Sequence, residues 1–293
     1  LSLYMPLIPS RSRLRVLLIH GFCLKACGVL SPASSDKQRG IWSKVGRNFD
    51  LFSVSSRLEQ YMLSSTFNGP VNNFVIMGPQ RAKGVSACDP SARARSRGLI
   101  RSLYGIDILD QDQVIFYAPT HRDHESSNKR SGLFGFDDLA KLNEILCNRQ
   151  SYLFIREHAR AHLDSSSGML SNVIFTNQYP NIDFSALAPS IDGLITDYSG
   201  IFLEYLDSDM RLAFWHHDIA EYRINRGFSI SEDIFKTGKI ISDEQTFCAF
   251  IDDRICSSGE ITYRELWHSL LYEHKTDECL KLTSDEIKLR GGL

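Results

Sequence analysis

The feature that most constrains the fold is an alternation of short apolar runs with segments of helical periodicity. The runs Val114–Tyr117, Ser151–Ile155, Gly193–Thr196 and Arg211–Trp215 are rich in β-branched and aromatic residues, and helical patterns such as Phe136–Arg149 lie between them. This alternation is typical of βαβ units, in which consecutive strands pair in parallel. We therefore predict an α/β fold with a doubly wound parallel sheet in the C-terminal part of the chain.

The N-terminal part shows the same alternation in a shorter form. Its expected strands are Val16–Ile19, Phe49–Val54 and Phe74–Met77, and a helix is expected over Ser55–Phe67. Residues 28–50 are rich in Ser, Gly and basic side chains, so we expect an exposed loop with little core there.

The chain length suggests two domains, because 293 residues exceed the usual size of one. Residues from about 84 to 97 are small, polar and basic, which is typical of a linker. We therefore predict an N-terminal domain over residues 1–92 and a C-terminal domain over residues 93–293.

Composition narrows the classes of partner. A net charge of −2 and a pI near 6.5 argue against a general nucleic-acid binder, which would carry a basic surplus. Two arginine clusters, at residues 11–15 and 93–101, are interpreted as solvated surface charge in preference to a site for anionic lipid or a phosphate-rich polymer. The seven scattered cysteines fit free thiols in a reducing cytoplasm and show no zinc-type spacing.

Polar residues that follow the predicted strands are the first candidates for a site, because ligands of open parallel sheets bind beyond the carboxyl ends of the strands. Four groups stand at such places: Tyr117–Asp123, Arg156–His158, Thr196–Gly200 and Arg226–Phe228. In the first, Thr120 can donate a hydrogen bond to a phosphate and Arg122 can neutralise its charge. In the third, the turn leads into an expected helix over Gly200–Leu206, whose first N–H groups attract anions.

Each group alone has a simpler interpretation. Ser199-Gly200 can be a helix cap, Asp197 an N-cap, His158 a structural histidine and Arg226-Gly227 an ordinary turn. Their joint placement at successive strand ends favours a phosphate-binding site.

The order of these groups resembles the CDP-glycerol glycerophosphotransferase family, which makes teichoic acids and related capsule polymers. The matching residues are Tyr117-Ala118-Pro119-Thr120-x-Arg122-Asp123, Arg156-x-His158, Leu194-Ile195-Thr196-Asp197-Tyr198-Ser199 and Tyr222-x3-Arg226-Gly227-Phe228. Near the N-terminus, His20-Gly21 after Val16–Ile19 and the turn Gly78-Pro79-x-Arg81 resemble further family elements. The resemblance runs from about residue 3 to residue 265.

The chain also departs from the family pattern. Gly200 stands where a second serine is usual, and Glu204 stands where aspartate is common. Only about twenty residues precede His20, so we expect the N-terminal domain to be incomplete relative to the family.

The resemblance implies a GT-B arrangement of two Rossmann-like domains that face a cleft. It implies a CDP-glycerol or CDP-ribitol donor and a polyol-phosphate or polysaccharide acceptor, whose hydroxyl attacks the β-phosphorus and releases CMP. It implies no cofactor, and cationic side chains replace a metal because no Asp-x-Asp pair suits Mg²⁺. The expected location is the cytoplasm, peripherally on the inner face of the cell membrane, with an anionic membrane surface as a further partner.

The resemblance also assigns roles to the site residues. His20 is the expected general base, since imidazole titrates near neutral pH, and His158 steadies the transferring phosphate. The expected donor-binding residues are Thr120, Arg122, Arg156, Thr196, Asp197, Ser199, Gly200, Glu204, Arg226 and Gly227.

Two alternatives stay open at this point. A GT-B glycosyltransferase that uses a UDP- or GDP-sugar shares the fold and the ribose carboxylate. An inactive nucleotide-binding module fits the short N-terminal part. The Tyr-Ala-Pro-Thr-x-Arg-Asp and Arg-Gly-Phe elements favour the phosphotransferase over the glycosyltransferase, and the inactive module stays open.

Overall fold

The computed structural model of the protein describes residues 14–19, 21–78, 89–120, 133–156, 170–176, 179, 182, 184–274 and 276–291. The chain forms two compact units. Unit 1 comprises Leu1–Phe22, Ala26–Ala82 and Leu270–Leu293, and unit 2 comprises Cys23–Lys25 and Lys83–Ser269.

The described part of the chain contains nine strands and nine α-helices. The strands are β1 (Val16–Leu18), β2 (Leu51–Val54), β3 (Phe74–Ile76), β4 (Gln113–Ala118), β5 (Ser151–Ile155), β6 (Val173–Phe175), β7 (Gly193–Thr196), β8 (Arg211–Trp215) and β9 (Lys239–Ile241). The α-helices are α1 (Asp36–Asn48), α2 (Arg57–Phe67), α3 (Pro90–Tyr104), α4 (Leu139–Asn148), α5 (Phe184–Leu187), α6 (Ile219–Asn225), α7 (Glu244–Asp252), α8 (Ser258–Leu271) and α9 (Thr276–Gly291). Short 3-10 helices cover Gly28–Leu30, Val71–Asn73, Ala188–Ser190, Gly200–Tyr205 and Glu232–Thr237.

Unit 1 is built on a parallel sheet whose described strands have the order β1-β2-β3. All four residues of the central strand β2 are buried. Phe52 of β2 stacks on Phe74 of β3 with ring centroids 4.3 Å apart, and Phe67 at the end of α2 packs against both rings. The three strands expected in this part of the chain are confirmed, with ends that differ by one or two residues.

The prediction of an exposed loop over residues 28–50 is wrong, because residues 36–48 form α1. The hydroxyl of Ser35 accepts a hydrogen bond from the backbone N–H of Gln38, whose side-chain oxygen accepts one from the N–H of Ser35. This capping box satisfies backbone donors that a helix start leaves open. The helix then packs closely on α2, since a Cβ atom at Gly46 would overlap the carbonyl oxygen of Phe67.

The C-terminal residues return to unit 1. The guanidinium of Arg290 donates to the backbone oxygens of Asp50 and Asn72, at 3.1 and 3.0 Å. The backbone N–H of Glu273 donates to the carbonyl oxygen of Ser55 at 3.0 Å. The compact units therefore differ from the expected division into residues 1–92 and 93–293, which places all of Leu270–Leu293 in the C-terminal domain.

Helix α3 opens the main part of unit 2 and contains the expected boundary at residue 92. The carboxylate of Asp89 accepts from the N–H of Ser91 at 2.9 Å, and Pro90 occupies the first turn, where its missing N–H costs nothing. One face of the helix is buried through Ala92, Ser96 and Ile100. The prediction of a linker over residues 84–97 is thus wrong from Pro90 onward, where α3 begins. Residues 84–88 lie outside the described residues.

The six described strands of unit 2 form one parallel sheet with the order β6-β5-β4-β7-β8-β9. Counted along the chain within the unit, this order is 3-2-1-4-5-6, which is that of a Rossmann fold. Its core includes Ile115 of β4, Leu153 of β5, Ile195 of β7 and Phe247 of α7, all completely buried. The parallel doubly wound sheet predicted from the alternation of apolar runs is confirmed.

Candidate functional site

Unit 2 has a topological switch point between β4 and β7. From β4 the sheet continues outward through β5 and β6 on one side, and from β7 through β8 and β9 on the other. Ala118 at the end of β4 pairs with Thr196 at the end of β7. Doubly wound sheets form their ligand crevice at such a point, so the residues that follow these two strands occupy the expected binding position.

Asp197 holds the two strand ends together. It is 1% exposed, and its Oδ1 accepts hydrogen bonds from the backbone N–H groups of Thr120 at 2.7 Å and of Tyr198 at 2.5 Å. The hydroxyl of Thr196 donates to the carbonyl oxygen of Ala118 at 2.6 Å. Both Thr196 and Asp197 therefore lie at the switch point, and these hydrogen bonds connect them to the protein's own backbone.

The hydroxyl of Thr120 differs from that of Thr196 in its hydrogen bonding. The residue is 7% exposed, and its Oγ1 has no hydrogen-bond partner among the residues that the structure describes. A buried polar group in this state costs roughly 1–3 kcal/mol. An oxygen atom of a ligand at the switch point would remove that cost, so this hydroxyl is a candidate donor to such a ligand.

Ser199 and Gly200 form the turn after β7, and both are half-buried. Ser199 stands at the N-cap of the 3-10 helix Gly200–Tyr205, yet its hydroxyl makes no capping hydrogen bond. The helix expected over Gly200–Leu206 is present as this six-residue 3-10 helix, which ends one residue earlier and carries Glu204. So short a helix has little macrodipole, which leaves the backbone N–H groups of the turn as the feature that can attract an anion.

A stack of aromatic rings joins this turn to the one that carries Arg226. The ring centroid of Tyr198 lies 3.9 Å from that of Tyr222 and 5.8 Å from that of Phe228. The carbonyl oxygen of Tyr222 accepts from the backbone N–H groups of Arg226 and Gly227, at 2.8 and 3.1 Å. Gly227 has a φ of 68°, which glycine adopts without strain, as expected for a close turn.

Of the four remaining residues predicted for the site, the structure describes only Arg156. Arg156 is the first residue after β5, is exposed, and donates its backbone N–H to the carbonyl oxygen of Tyr117 at 2.9 Å. It therefore follows the strand next to β4. His20, Arg122 and His158 lie outside the described residues, and their roles stay predictions.

His216 is a residue of this region that the sequence analysis passed over. Its ring stacks on that of Tyr198 with centroids 5.1 Å apart, and its Nε2 has no hydrogen-bond partner in the described part of the chain. Burial lowers the pKa of His216 to about 4, so the imidazole is neutral at neutral pH. Because His216 directly follows the predicted strand β8, the rule that selected the other strand-end residues would also have selected it.

The arginine cluster on α3 is largely paired with carboxylates. Three of its members form ion pairs within unit 2: Arg93 with Asp192 at 2.8 Å, Arg97 with Asp110 at 2.5 Å and Arg101 with Asp107 at 3.0 Å. This pairing favours the interpretation as structural surface charge over a site for anionic lipid.

The described residues contain neither a candidate metal centre nor a candidate membrane-spanning helix. No group of three or more His, Cys, Asp or Glu side chains among them could hold a metal ion. None of the described helices is both long enough and apolar enough to cross a membrane.

Comparisons with known proteins agree with the resemblance read from the sequence. A family model described as CDP-Glycerol:Poly(glycerophosphate) glycerophosphotransferase matches residues 5–266. The teichoic acid ribitol-phosphate primase of Bacillus spizizenii is 28% identical over 139 residues, which are 46% of this chain and 34% of that protein. The match thus spans about a third of the length of that curated relative.

Solved structures of the wall teichoic acid polymerase TagF have the same fold. One is 19% identical with a TM-score of 0.75, and the match covers 98% of this chain and 71% of the polymerase chain. A variant of that polymerase soaked with CDPG matches at 20% identity and a TM-score of 0.75, over 98% of this chain and 70% of that one. The GT-B-like α/β fold expected from the sequence is confirmed.

Proposed function

The chain belongs to the CDP-glycerol:poly(glycerophosphate) glycerophosphotransferase family, and from this membership we propose that it is a CDP-polyol phosphotransferase. It transfers a polyol phosphate from a CDP-activated donor to a hydroxyl group of a growing cell-surface polymer and releases CMP. The observation that carries this proposal is the buried hydroxyl of Thr120, which has no hydrogen-bond partner among the described residues and lies at the switch point of unit 2.

In this proposal the residues after β4 and β7 bind the pyrophosphate of the donor. Thr120 donates its hydroxyl to a phosphate oxygen, and Ser199 and Gly200 contribute the hydroxyl and the N–H groups of their turn. Thr196 and Asp197 act by holding the two strand ends at a fixed spacing, since their described hydrogen bonds join those ends.

Cationic and carboxylate side chains complete the donor site. Arg226 and Arg122 neutralise the charge of the pyrophosphate, and Arg156 with His158 steadies the phosphate that is transferred. Glu204, on the 3-10 helix that follows the Ser199 turn, accepts from the ribose hydroxyls.

The reaction is an in-line displacement at the β-phosphorus. The acceptor hydroxyl forms a new P–O bond, the bond from the β-phosphorus to the bridging oxygen breaks, and CMP leaves with that oxygen. His20 takes the hydroxyl proton as general base. Positioning and charge stabilisation, rather than covalent catalysis, lower the barrier.

The polyol is glycerol or ribitol. The family description favours CDP-glycerol, and the curated relative is named as a ribitol-phosphate primase. Because a nucleotide-activated donor is cytoplasmic and the acceptor is a cell-surface polymer, we place the reaction at the inner face of the cell membrane, with the protein bound there peripherally. Capsule polymers belong to the same proposed class of acceptor.

The test is a pair of substitutions at Thr120 that differ in one hydroxyl. Thr120→Val keeps the side-chain shape and should weaken binding of CDP-glycerol or CDP-ribitol by about ten- to a hundred-fold, which is the effect of one hydrogen bond to a charged group. Thr120→Ser should bind nearly as tightly as the parent, and Thr120→Val should not destabilise the free protein. Equal donor affinity of all three proteins in calorimetry would remove Thr120 from the donor site.

A further inference from the structure

A small cavity lies at the amino ends of β8 and β9 in unit 2, whereas the switch-point residues follow the carboxyl ends of their strands. Arg211 begins β8 and Lys239 begins β9, and both line the cavity together with Arg264 of α8. Its volume of about 10 Å³ is close to the least that holds one water molecule or one small ion.

Two of these lining residues are buried cations. Arg211 and Arg264 are 5% and 4% exposed. The guanidinium of Arg211 donates to the carbonyl oxygens of Phe250 and Asp253 and to the side-chain oxygen of Gln113. In the described part of the chain, neither guanidinium has a carboxylate within ion-pair distance. Buried cations are normally paired with an anion, because removing a charge from water is costly.

The guanidinium of Arg264 also has one nitrogen without a partner. Its Nε donates to the carbonyl oxygen of Thr237 at 2.8 Å, and its Nη1 donates to those of Ser208 and Met210 at 3.3 and 2.9 Å. Its Nη2 is buried and has no hydrogen-bond partner among the residues that the structure describes. A buried donor on a charged group is costly to leave unpaired, so Nη2 indicates that an acceptor binds in the cavity.

The charges of the wall favour an anion as that acceptor. The charged residues are three cations and two carboxylates: Arg211, Lys239, Arg264, Asp253 and Glu260. Both carboxylates are paired with Lys239, whose Nζ lies 3.5 Å from Asp253 and 4.0 Å from Glu260. Burial raises the pKa of the Cys256 thiol above its usual value, so this lining residue is uncharged at neutral pH. The wall therefore carries one excess positive charge.

We propose that this cavity binds one small monovalent anion of the size of chloride. The anion accepts a hydrogen bond from Nη2 of Arg264 and balances the excess charge of the wall. It thereby stabilises the packing of α8 on β8 and β9, whether or not the protein transfers a polyol phosphate. A water molecule also fits the volume and can accept from Nη2, but it leaves the charge unbalanced.

Thermal unfolding in chloride and in gluconate tests this proposal. Sodium chloride replaces sodium gluconate at constant ionic strength, which keeps charge screening equal, and gluconate is too large for the cavity. With a Kd of about 10 mM, the melting temperature should rise by about 4–8 °C between chloride-free buffer and about 0.3 M chloride. The absence of such a rise would overturn the proposal.

Two exposed lysines provide a matched pair of variants. Lys239→Met removes one cation of the wall and makes it neutral, and the side chain is 43% exposed, so the fold tolerates the change. The chloride-dependent shift should disappear. Lys236→Met removes a lysine that is 54% exposed and does not line this cavity, and it should keep the full shift. An equal shift in both variants would mean that chloride acts elsewhere on the protein.

Crystals of the parent protein soaked in sodium bromide locate the anion directly, because bromide scatters anomalously. An anomalous peak should lie in the cavity within hydrogen-bond distance of Nη2 of Arg264. Density there without anomalous signal would identify a water molecule and overturn the proposed anion site.

Discussion

Two polar side chains at the switch point differ in their hydrogen bonding. Asp197 is buried with its Oδ1 bonded to two backbone N–H groups, whereas the Oγ1 of Thr120 is buried without a partner in the described part of the chain. A satisfied buried group stabilises the scaffold, and an unsatisfied one is tolerated where a ligand supplies the partner. Sequence position alone selected both residues for the donor site, but it could not separate these roles, because hydrogen bonding depends on atoms from two distant strands.

The Arg226 side chain offers a test of where the pyrophosphate binds. Arg226→Ala should weaken binding of CDP-glycerol or CDP-ribitol by about ten- to a hundred-fold, because a charge-assisted hydrogen bond is lost, and should leave binding of cytidine nearly unchanged. Calorimetry with both ligands measures the difference. An equal loss for cytidine and for the CDP-polyol would mean that Arg226 acts on the structure of the turn and not on the pyrophosphate.

Glu59 in unit 1 predicts a pH dependence of stability. Burial raises the pKa of Glu59 to about 7, although its carboxylate accepts a hydrogen bond from the backbone N–H of Ser55 at 2.6 Å. The folded protein therefore binds a proton at Glu59 more tightly than the unfolded chain does. The resulting stabilisation is fully present below about pH 4.5 and is lost as the pH rises through about 7.

Glu59→Gln removes this dependence because an amide does not titrate. Relative to the parent, the variant should gain about 2–3 kcal/mol of unfolding free energy between pH 5 and pH 8. Urea denaturation of both proteins at the two pH values measures the change. Parallel pH profiles would show that Glu59 titrates alike in the folded and unfolded states.

At the scale of elements, the strands were more predictable than two of the helices. The strands are short runs rich in β-branched and aromatic residues, and in β2, β4 and β8 every residue is buried, so composition and burial point to the same structure. Helices α1 and α3 instead begin in stretches rich in Ser, Gly and Arg, which resemble loops by composition. Their local signals were present, a Ser35-x-x-Gln38 capping box and Asp89-Pro90 at a helix start, but they act through individual hydrogen bonds that composition averages away.

The contact between α1 and α2 can be tested with two glycines of the same helix. A methyl group at Gly46 would overlap the carbonyl oxygen of Phe67, whereas one at Gly40 would meet nothing within 4 Å. Gly46→Ala should therefore lower the unfolding free energy by about 1–3 kcal/mol, and Gly40→Ala should raise it by up to about 1 kcal/mol. If thermal or urea denaturation shows both variants to be stabilised, the close packing of the two helices is absent in solution.

For the whole molecule, the alternation of elements predicted the parallel doubly wound sheet of unit 2, whereas its strand order and switch point are seen only in the structure. The sequence did not predict which segments of the chain join which unit. Leu270–Leu293 joins unit 1 through bonds such as Arg290 to Asp50, and Cys23–Lys25 joins unit 2 through Ser229. Such contacts link residues about 200 or more positions apart, and no local pattern in the sequence encodes them.

Release of nucleotide from competing donors decides between a CDP-polyol phosphotransferase and a glycosyltransferase. The protein is incubated with CDP-glycerol, CDP-ribitol, UDP-glucose or GDP-mannose and a polyol-phosphate acceptor, and the free nucleotide is quantified by chromatography. We predict release of CMP from at least one CDP-polyol, dependent on the acceptor and reduced by roughly 10²–10⁴-fold in His20→Ala, with no release of UDP or GDP. Release of UDP or GDP with no CMP would instead identify a glycosyltransferase and contradict the proposed phosphotransferase activity.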